Sequence, residues 1–258
     1  MLKMFKNAIV RTPAKSVIDG ITTQSLGLPE IELTLDQHKK YISALEKCGL
    51  QVEVLSADER FPDGNYVEDV AVLADQLAIV TNPGADSRRE EINNIIPTIE
   101  KYFKNIEYIR LPGFLEGGDV MKVGGHFFIG LSSRTNQEGA NQMIAILERF
   151  GFTGSTVEVS GVLHLKTGMS YMEDGTLLAT GDFLDNKVFL DRFERVIEVS
   201  KEEDYAVNCI RLNEFVLMPE GFAETKTKLI EAGYRIVETP MSEFQKMDGG
   251  LTCLSLRF

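Results

Sequence analysis

A repeat limits how this chain can fold more than any other feature of its sequence. A pair of short apolar runs, an amphipathic stretch and one more short β-branched run recur along it. The closing runs centre on Val52, Ile106, Val157, Ile197 and Ile236, roughly 40 to 55 residues apart, an interval that fits a solenoid, a propeller or an array. Val67 to Thr81 reads as two strands around Ala74-Asp75-Gln76. Ser87 to Phe103 then reads as a helix, with Ile92, Ile95, Ile96 and Ile99 at helical spacing, and Asn105 to Leu111 as a strand. In the next unit Val120 to Gly130 predicts a hairpin at Gly124-Gly125, and Thr135 with Glu138 a capping box. A helix face through Ala140, Met143, Ile144, Leu147 and Phe150 follows, then a strand at Thr156 to Val159.

Asn208 to Met218, Phe222 to Gly233 and Tyr234 to Glu238 make a fifth ββαβ unit. The first is split between Ala8 to Arg11, the helix Leu35 to Lys47 and the strand Gln51 to Leu55; the fourth, from His164 on, has the weakest helix. Leu251 to Leu256 is left over as a strand with no helix after it. Pairing it with the first unit would close a ring, and a single mixed α/β sheet is the alternative.

Length and composition allow such a fold. The chain has 258 residues, of which 43% are apolar, enough for a sizeable core. Its net charge of -12 and lack of a basic run argue against nucleic acid as a partner. The same charge suits a cationic small molecule and plain solubility alike. No apolar run reaches the roughly 18 residues of a membrane span, and no secretory signal follows the basic start Met1 to Lys6. Three widely spaced cysteines, Cys48, Cys209 and Cys253, exclude a disulfide framework and a CxxC metal site, and suit a reducing cytoplasm.

Chemistry-bearing residues gather where the units begin. Asp63, Glu68 and Asp69 lie within seven residues of sequence at the mouth of an apolar strand. Carboxylates match the fork of a guanidinium, although a metal or solvent would also suit such a group. Glu116 precedes Gly117-Gly118-Asp119, where glycines permit close backbone approach or simply a turn. His164 lies in an apolar run, as a catalyst or as a satisfied core residue. Cys253 follows Asp248-Gly249-Gly250 on the last strand, sharing a face with Leu251 and Ser255, whereas Cys48 fits inert helix packing. Arg88 and Arg134 each open a helix against its dipole, as a carboxylate holder or an ion-pair partner would. Together these are a nucleophile, a base, an orienting acid, an acidic cluster and two arginines, the parts for covalent catalysis on an arginine-like molecule.

The same residues carry a family resemblance. Arg11-Thr12-Pro13-Ala14, Phe61-Pro62-Asp63 with Glu68-Asp69, Ser87-Arg88-Arg89, Glu116-Gly117-Gly118-Asp119, Ser133-Arg134-Thr135-Asn136, Leu163-His164-Leu165-Lys166 and Asp248-Gly249-Gly250 with Cys253 occur in this order over the whole length. In these the chain resembles the bacterial dimethylarginine dimethylaminohydrolases, of the guanidino-group-modifying (pentein) superfamily. The resemblance implies a single five-bladed α/β propeller over residues 1–258 and hydrolysis of asymmetric dimethylarginine or monomethylarginine to citrulline. It makes Cys253 the nucleophile, His164 the general acid/base and Glu116 its partner. Glu68 and Asp69 then hold the guanidinium, Asp63 and the Ile21 backbone the α-ammonium, and Arg88 and Arg134 the α-carboxylate, so that losing Arg88 mainly raises KM. It implies no metal and no cofactor; a homodimer stays open. Departures are Gly64-Asn65-Tyr66 between the acidic positions and Ile21 in place of leucine. Arginine deiminases carry an inserted helical domain for which this chain has no room, and agmatine deiminases would not need both arginines. A catalytically silent propeller that only binds partners would not need Cys253.

Overall fold

The computed structural model describes residues 4–258, so the first half of the basic start lies outside the described residues. Five three-stranded sheets are present among them, each with an antiparallel pair and a parallel pair. The first unit has β1 (Asn7–Arg11), helix α1 (Ile31–Lys47) and β2 (Gln51–Leu55). The second has β3 (Ala71–Ala74), β4 (Leu77–Val80), α2 (Ile96–Tyr102) and β5 (Asn105–Tyr108). The third has β6 (Val120–Val123), β7 (His126–Leu131), α3 (Gln137–Arg149) and β8 (Thr153–Glu158). The fourth opens with the short α4 (Leu165–Gly168), then β9 (Met169–Tyr171), β10 (Thr176–Ala179), α5 (Lys187–Leu190) and β11 (Arg195–Glu198). The fifth has β12 (Ile210–Leu212), β13 (Phe215–Pro219), α6 (Ala223–Glu231) and β14 (Arg235–Thr239), followed by α7 (Ser242–Gln245) and β15 (Leu256–Arg257).

Local chemistry explains the repeated form. The β3–β4, β6–β7 and β12–β13 hairpins turn at Asp75, Gly124 and Asn213, each at positive φ, as tight hairpins require. A helix then carries the chain back so that the closing strand pairs in parallel, which no tight turn allows. The first unit lacks its antiparallel strand, and β15 supplies it: Ala8 pairs with Arg257 and Ile9 with Leu256. Each apolar core joins two successive units. Leu77 and Ile79 of β4 meet Phe127 and Met143 of the next unit, and the last core joins Tyr41 and Leu45 of α1 to Leu217 and Val237 of the fifth unit. No helix among the described residues is long and apolar enough to cross a membrane.

Four local expectations change. Ser87 to Phe103 is not one helix: a 3₁₀ segment covers Asp86–Asn94, and α2 starts beyond it with Pro97 in its first turn. Proline has no N–H to bond back along a continuous helix. Val67–Val70, read as strand, is a 3₁₀ turn leading into β3. Asn136, not Thr135, caps α3, accepting from Gly139 N at 2.8 Å; Thr135 Oγ1 instead accepts from Glu116 N at 3.1 Å. Finally, Thr252–Leu254 is a 3₁₀ turn, so Leu251, Cys253 and Ser255 do not share the face of a strand. Asp248 at positive φ and the bond from Cys253 N to Gly250 O, 3.2 Å, curl this segment before β15 begins.

Candidate active site

Four short segments meet where the units begin: the turn with Glu68 and Asp69, the turn after Glu116, the N-terminus of α4 at His164, and the turn with Cys253. His164 Nε2 lies 2.8 Å from Glu116 Oε2. Asp119 accepts from the next peptide, Leu165 N, at 3.0 Å and from Ser132 Oγ at 2.6 Å, which pins the histidine segment. Gly118 packs under the ring: a Cβ there would stand 2.6 Å from His164 Nδ1, so glycine is required. Gly118 N also donates to Asp69 Oδ1 at 2.9 Å. On the far side Asn208 Oδ1 accepts from Thr252 N at 2.9 Å while its amide donates to Lys166 O at 2.8 Å. One side chain thus ties the cysteine turn to the histidine segment.

A small crevice of about 30 Å³ is lined by Ile21, Asp69, Arg88, Glu116, Arg134, His164 and Cys253, with Tyr66 beside them. Cys253, Leu163 and Asp248 also line a larger cavity of about 540 Å³ that adjoins it. Asp63 sits at the rim and accepts from Ile21 N at 3.1 Å. The loop after Ile21 is strapped down by Asp248, which accepts from Thr23 N and Gln24 Nε2. Glu68 stands apart. Its Oε1 is tied to Lys166 and Arg257, and it lines a separate cavity of about 150 Å³; its buried Oε2 has no hydrogen-bond partner among the described residues.

The two arginines have different surroundings. Arg88 Nη1 reaches Asp69 Oδ2 at 2.6 Å, its Nε and Nη2 engage Glu91, and Nη2 also donates to the carbonyls of Asp63 and Tyr66. That leaves one N–H of five for a ligand. The Arg134 side chain, among the described residues, makes only a long pair, 3.5 Å, to Glu116 Oε1. The side chain of Arg134 is 16% exposed and that of Arg88 5%. Arg134 is thus the more open of the two, and Arg88 is mostly committed to buried acids. The sequence reading missed Glu91, although its place three residues after Arg88 on a 3₁₀ segment puts both on one side.

The charges settle into a definite state. Burial works against the imidazolium of His164, but Asp69, the Glu116 hydrogen bond and Asp119 outweigh it and raise the pKa to about 9. Burial likewise works against the carboxylates of Asp69 and Glu116, yet His164 and Arg88 hold both below their usual range. The Cys253 thiol is pushed up to about 12, first by burial and then by Glu68 and Asp69, with Gly250 N and Lys166 opposing. Burial also raises the thiols of Cys48 and Cys209, which pack in the cores. Asp69, Glu116 and His164 carry ligand atoms within 4.8 Å of one another, a spacing that could hold a cation. Those atoms already bond to Arg88, to Gly118 N and to each other. Burial and these neighbours thus favour a protonated His164 and a protonated Cys253 thiol in one crevice.

Comparison with known proteins agrees with this geometry. The family described as N,N dimethylarginine dimethylhydrolase, eukaryotic, matches residues 23–255. The N(G),N(G)-dimethylarginine dimethylaminohydrolase of Pseudomonas aeruginosa is 49% identical over 256 residues, covering 99% of this chain and 100% of that protein. The chain belongs to the dimethylarginine dimethylaminohydrolase family. The enzyme of the same name from Streptomyces coelicolor is 33% identical, with 98% of this chain and 96% of that protein covered. A cysteine-to-serine variant of the P. aeruginosa family member, solved with citrulline, superposes with a TM-score of 0.97 at 48% identity, over 99% of this chain and 100% of that one. The N-terminal domain of ArgZ, an arginine dihydrolase of cyanobacteria, shares the fold at a TM-score of 0.87 and 20% identity, covering 99% of this chain and 97% of that one.

Proposed function

We propose that this protein hydrolyses asymmetric dimethylarginine and monomethylarginine to citrulline and a methylated amine, in one catalytic domain whose five sheets are the blades of a ring. The ring reading is supported by the β15–β1 pairing and by the core that joins the fifth unit to the first. The observation that carries the reaction is the convergence of Cys253, the His164–Glu116 pair and Asp69 on one crevice.

Asp69 receives the guanidinium, with the uncommitted Glu68 Oε2 as a second acceptor. Asp63 and the Ile21 carbonyl take the α-ammonium, and Arg134 the α-carboxylate with the last N–H of Arg88. The cation lowers the thiol pKa, the thiol proton passes to solvent, and the Cys253 thiolate attacks the guanidinium carbon. The C–N bond to the methylated nitrogen breaks as His164 gives its proton to that nitrogen. An S-alkylthiouronium remains on Cys253. His164, now neutral, takes a proton from water; the water oxygen adds to the same carbon, the C–S bond breaks, the proton of the added hydroxyl passes to solvent, and citrulline leaves. Glu116 stabilises the imidazolium at each protonated stage. Three free thiols suit a reducing compartment. Release of citrulline from asymmetric dimethylarginine, monomethylarginine and arginine, and of carbamoylputrescine from agmatine, tests the assignment. Citrulline from the two methylated arginines is expected; hydrolysis of arginine or agmatine alone would overturn it.

A further inference from the structure

Tyr66 has a role in the crevice that neither the motif nor the proposed reaction accounts for. Its side chain is buried and lines the same small space as His164 and Cys253. Its hydroxyl is buried and meets no hydrogen-bond partner among the described residues. The buried Asn65 amide beside it also makes no bond of normal length among the described residues, although it stands close enough to oppose the rise of the phenol pKa. The ring is held tightly, since a Cβ at Gly249 would lie 2.9 Å from the Tyr66 oxygen. Glycine at 249 thus leaves room for a phenol where any other residue would collide with it. A buried hydroxyl without a partner is uncommon in folded proteins, and leaving one unsatisfied is costly. One fixed in place on the wall of a ligand site points to a partner on the ligand.

We propose that Tyr66 is a specificity-determining residue whose hydroxyl oxygen accepts the internal N–H of the bound amino acid, the one joining the aliphatic chain to the guanidinium. This rests on the substrate orientation proposed above. Asp63 takes the ammonium at one end, and Asp69 takes the terminal guanidinium nitrogens near Cys253 at the other. Tyr66 lines the crevice, and its phenol feels the charge of both Asp63 and Cys253. In the proposed orientation the internal N–H is the ligand donor between the two charged ends. Burial, Asp63 and Cys253 raise the phenol pKa, so at neutral pH the group is a hydroxyl with lone pairs free to accept.

The same N–H is present in the substrate, in the thiouronium and in citrulline. The contact is therefore uniform along the reaction and affects binding rather than the chemical step. The test is Tyr66→Phe, which keeps the ring and removes only the oxygen. Steady-state kinetics on asymmetric dimethylarginine would be read together with citrulline affinity by calorimetry in a Cys253→Ser background. KM and the citrulline Kd are expected to rise roughly tenfold while kcat stays within about twofold and the melting temperature of the free protein does not fall. Unchanged KM and Kd would overturn the inference, and so would a loss confined to kcat. Wild-type turnover separates the two levels. If the wild type releases citrulline and Tyr66→Phe binds as well as it does, only the tyrosine role fails. If the wild type releases none, the substrate reading fails and this inference fails with it.

Discussion

On one wall of the crevice Asp69 pairs with Arg88, which Glu91 holds from behind, and Glu116 pairs with His164. On the opposite wall Cys253 sits in a short turn among Gly249, Gly250, Tyr66 and Tyr205. Among the described residues its sulfur accepts only a long bond, 3.4 Å, from Gly250 N. The first wall is charged and satisfied before any ligand arrives. The second holds a neutral thiol, kept so by burial and by the acids facing it. Acid–base machinery can be built into a resting protein when each charge has a partner. A thiolate facing two carboxylates lacks one, and a cationic substrate supplies it.

That contrast is testable from its largest consequence downward. Replacing the sulfur alone, in Cys253→Ser, should abolish citrulline formation while leaving citrulline binding and the fold intact. Measurable steady-state turnover by that variant would refute the nucleophile. The thiol of the free enzyme, with a pKa near about 12, should be about 10⁻⁴ ionised at pH 8. Its alkylation by neutral iodoacetamide should then climb about tenfold per pH unit, whereas a cationic chloroacetamidine should label it readily at neutral pH. Equal rates for the two reagents at pH 8 would show the resting thiol to be already ionised.

The charged wall should fail differently. His164→Gly is expected to cost about 10²–10⁴-fold in turnover by removing the proton donor. The His164 pKa is raised from 6.5 to about 9 on folding, so its stabilisation is present in full below pH 6.5 and is lost as pH rises through 9. Unfolding curves of the wild type should show that loss, and those of His164→Gly should lack it. Arg88→Ala leaves Asp69 and Glu91 buried without their cation and should lower stability by about 3–5 kcal/mol in denaturant titrations. A change in KM with unaltered stability would instead restore Arg88 to a purely ligand-binding role. Arg134→Ala, at the open end, should raise KM by about tenfold with little effect on melting. A melting loss as large as that of Arg88→Ala would erase the distinction between the two arginines.

Much of this was legible in the sequence because the units repeat. The alternation of apolar runs in β6 and β7, the Gly124 turn and the helix face of α3 are local properties, written in side-chain period and backbone preference. The catalytic types were legible too, since cysteine, histidine and clustered acids are rare enough at the starts of units to stand out. What failed was local form at the site itself. Val67–Val70 and Thr252–Leu254 have strand-like composition yet curl into 3₁₀ turns. Composition alone cannot reveal bonds such as that from Thr252 N to Asn208, a residue 44 positions away.

The sequence by itself determined the ββαβ units, the leftover last strand and the kinds of groups available for chemistry, because each depends on neighbours within a few turns of chain. Only the tertiary structure decided how those groups are used. Arg88 and Arg134 occupy matching places in successive units. One is enclosed by Asp69 and Glu91 and the other is left partly open, because distant segments close over the first and not the second. Charge state follows the same rule: burial and long-range neighbours, which no stretch of sequence contains, make His164 an acid and keep Cys253 a thiol.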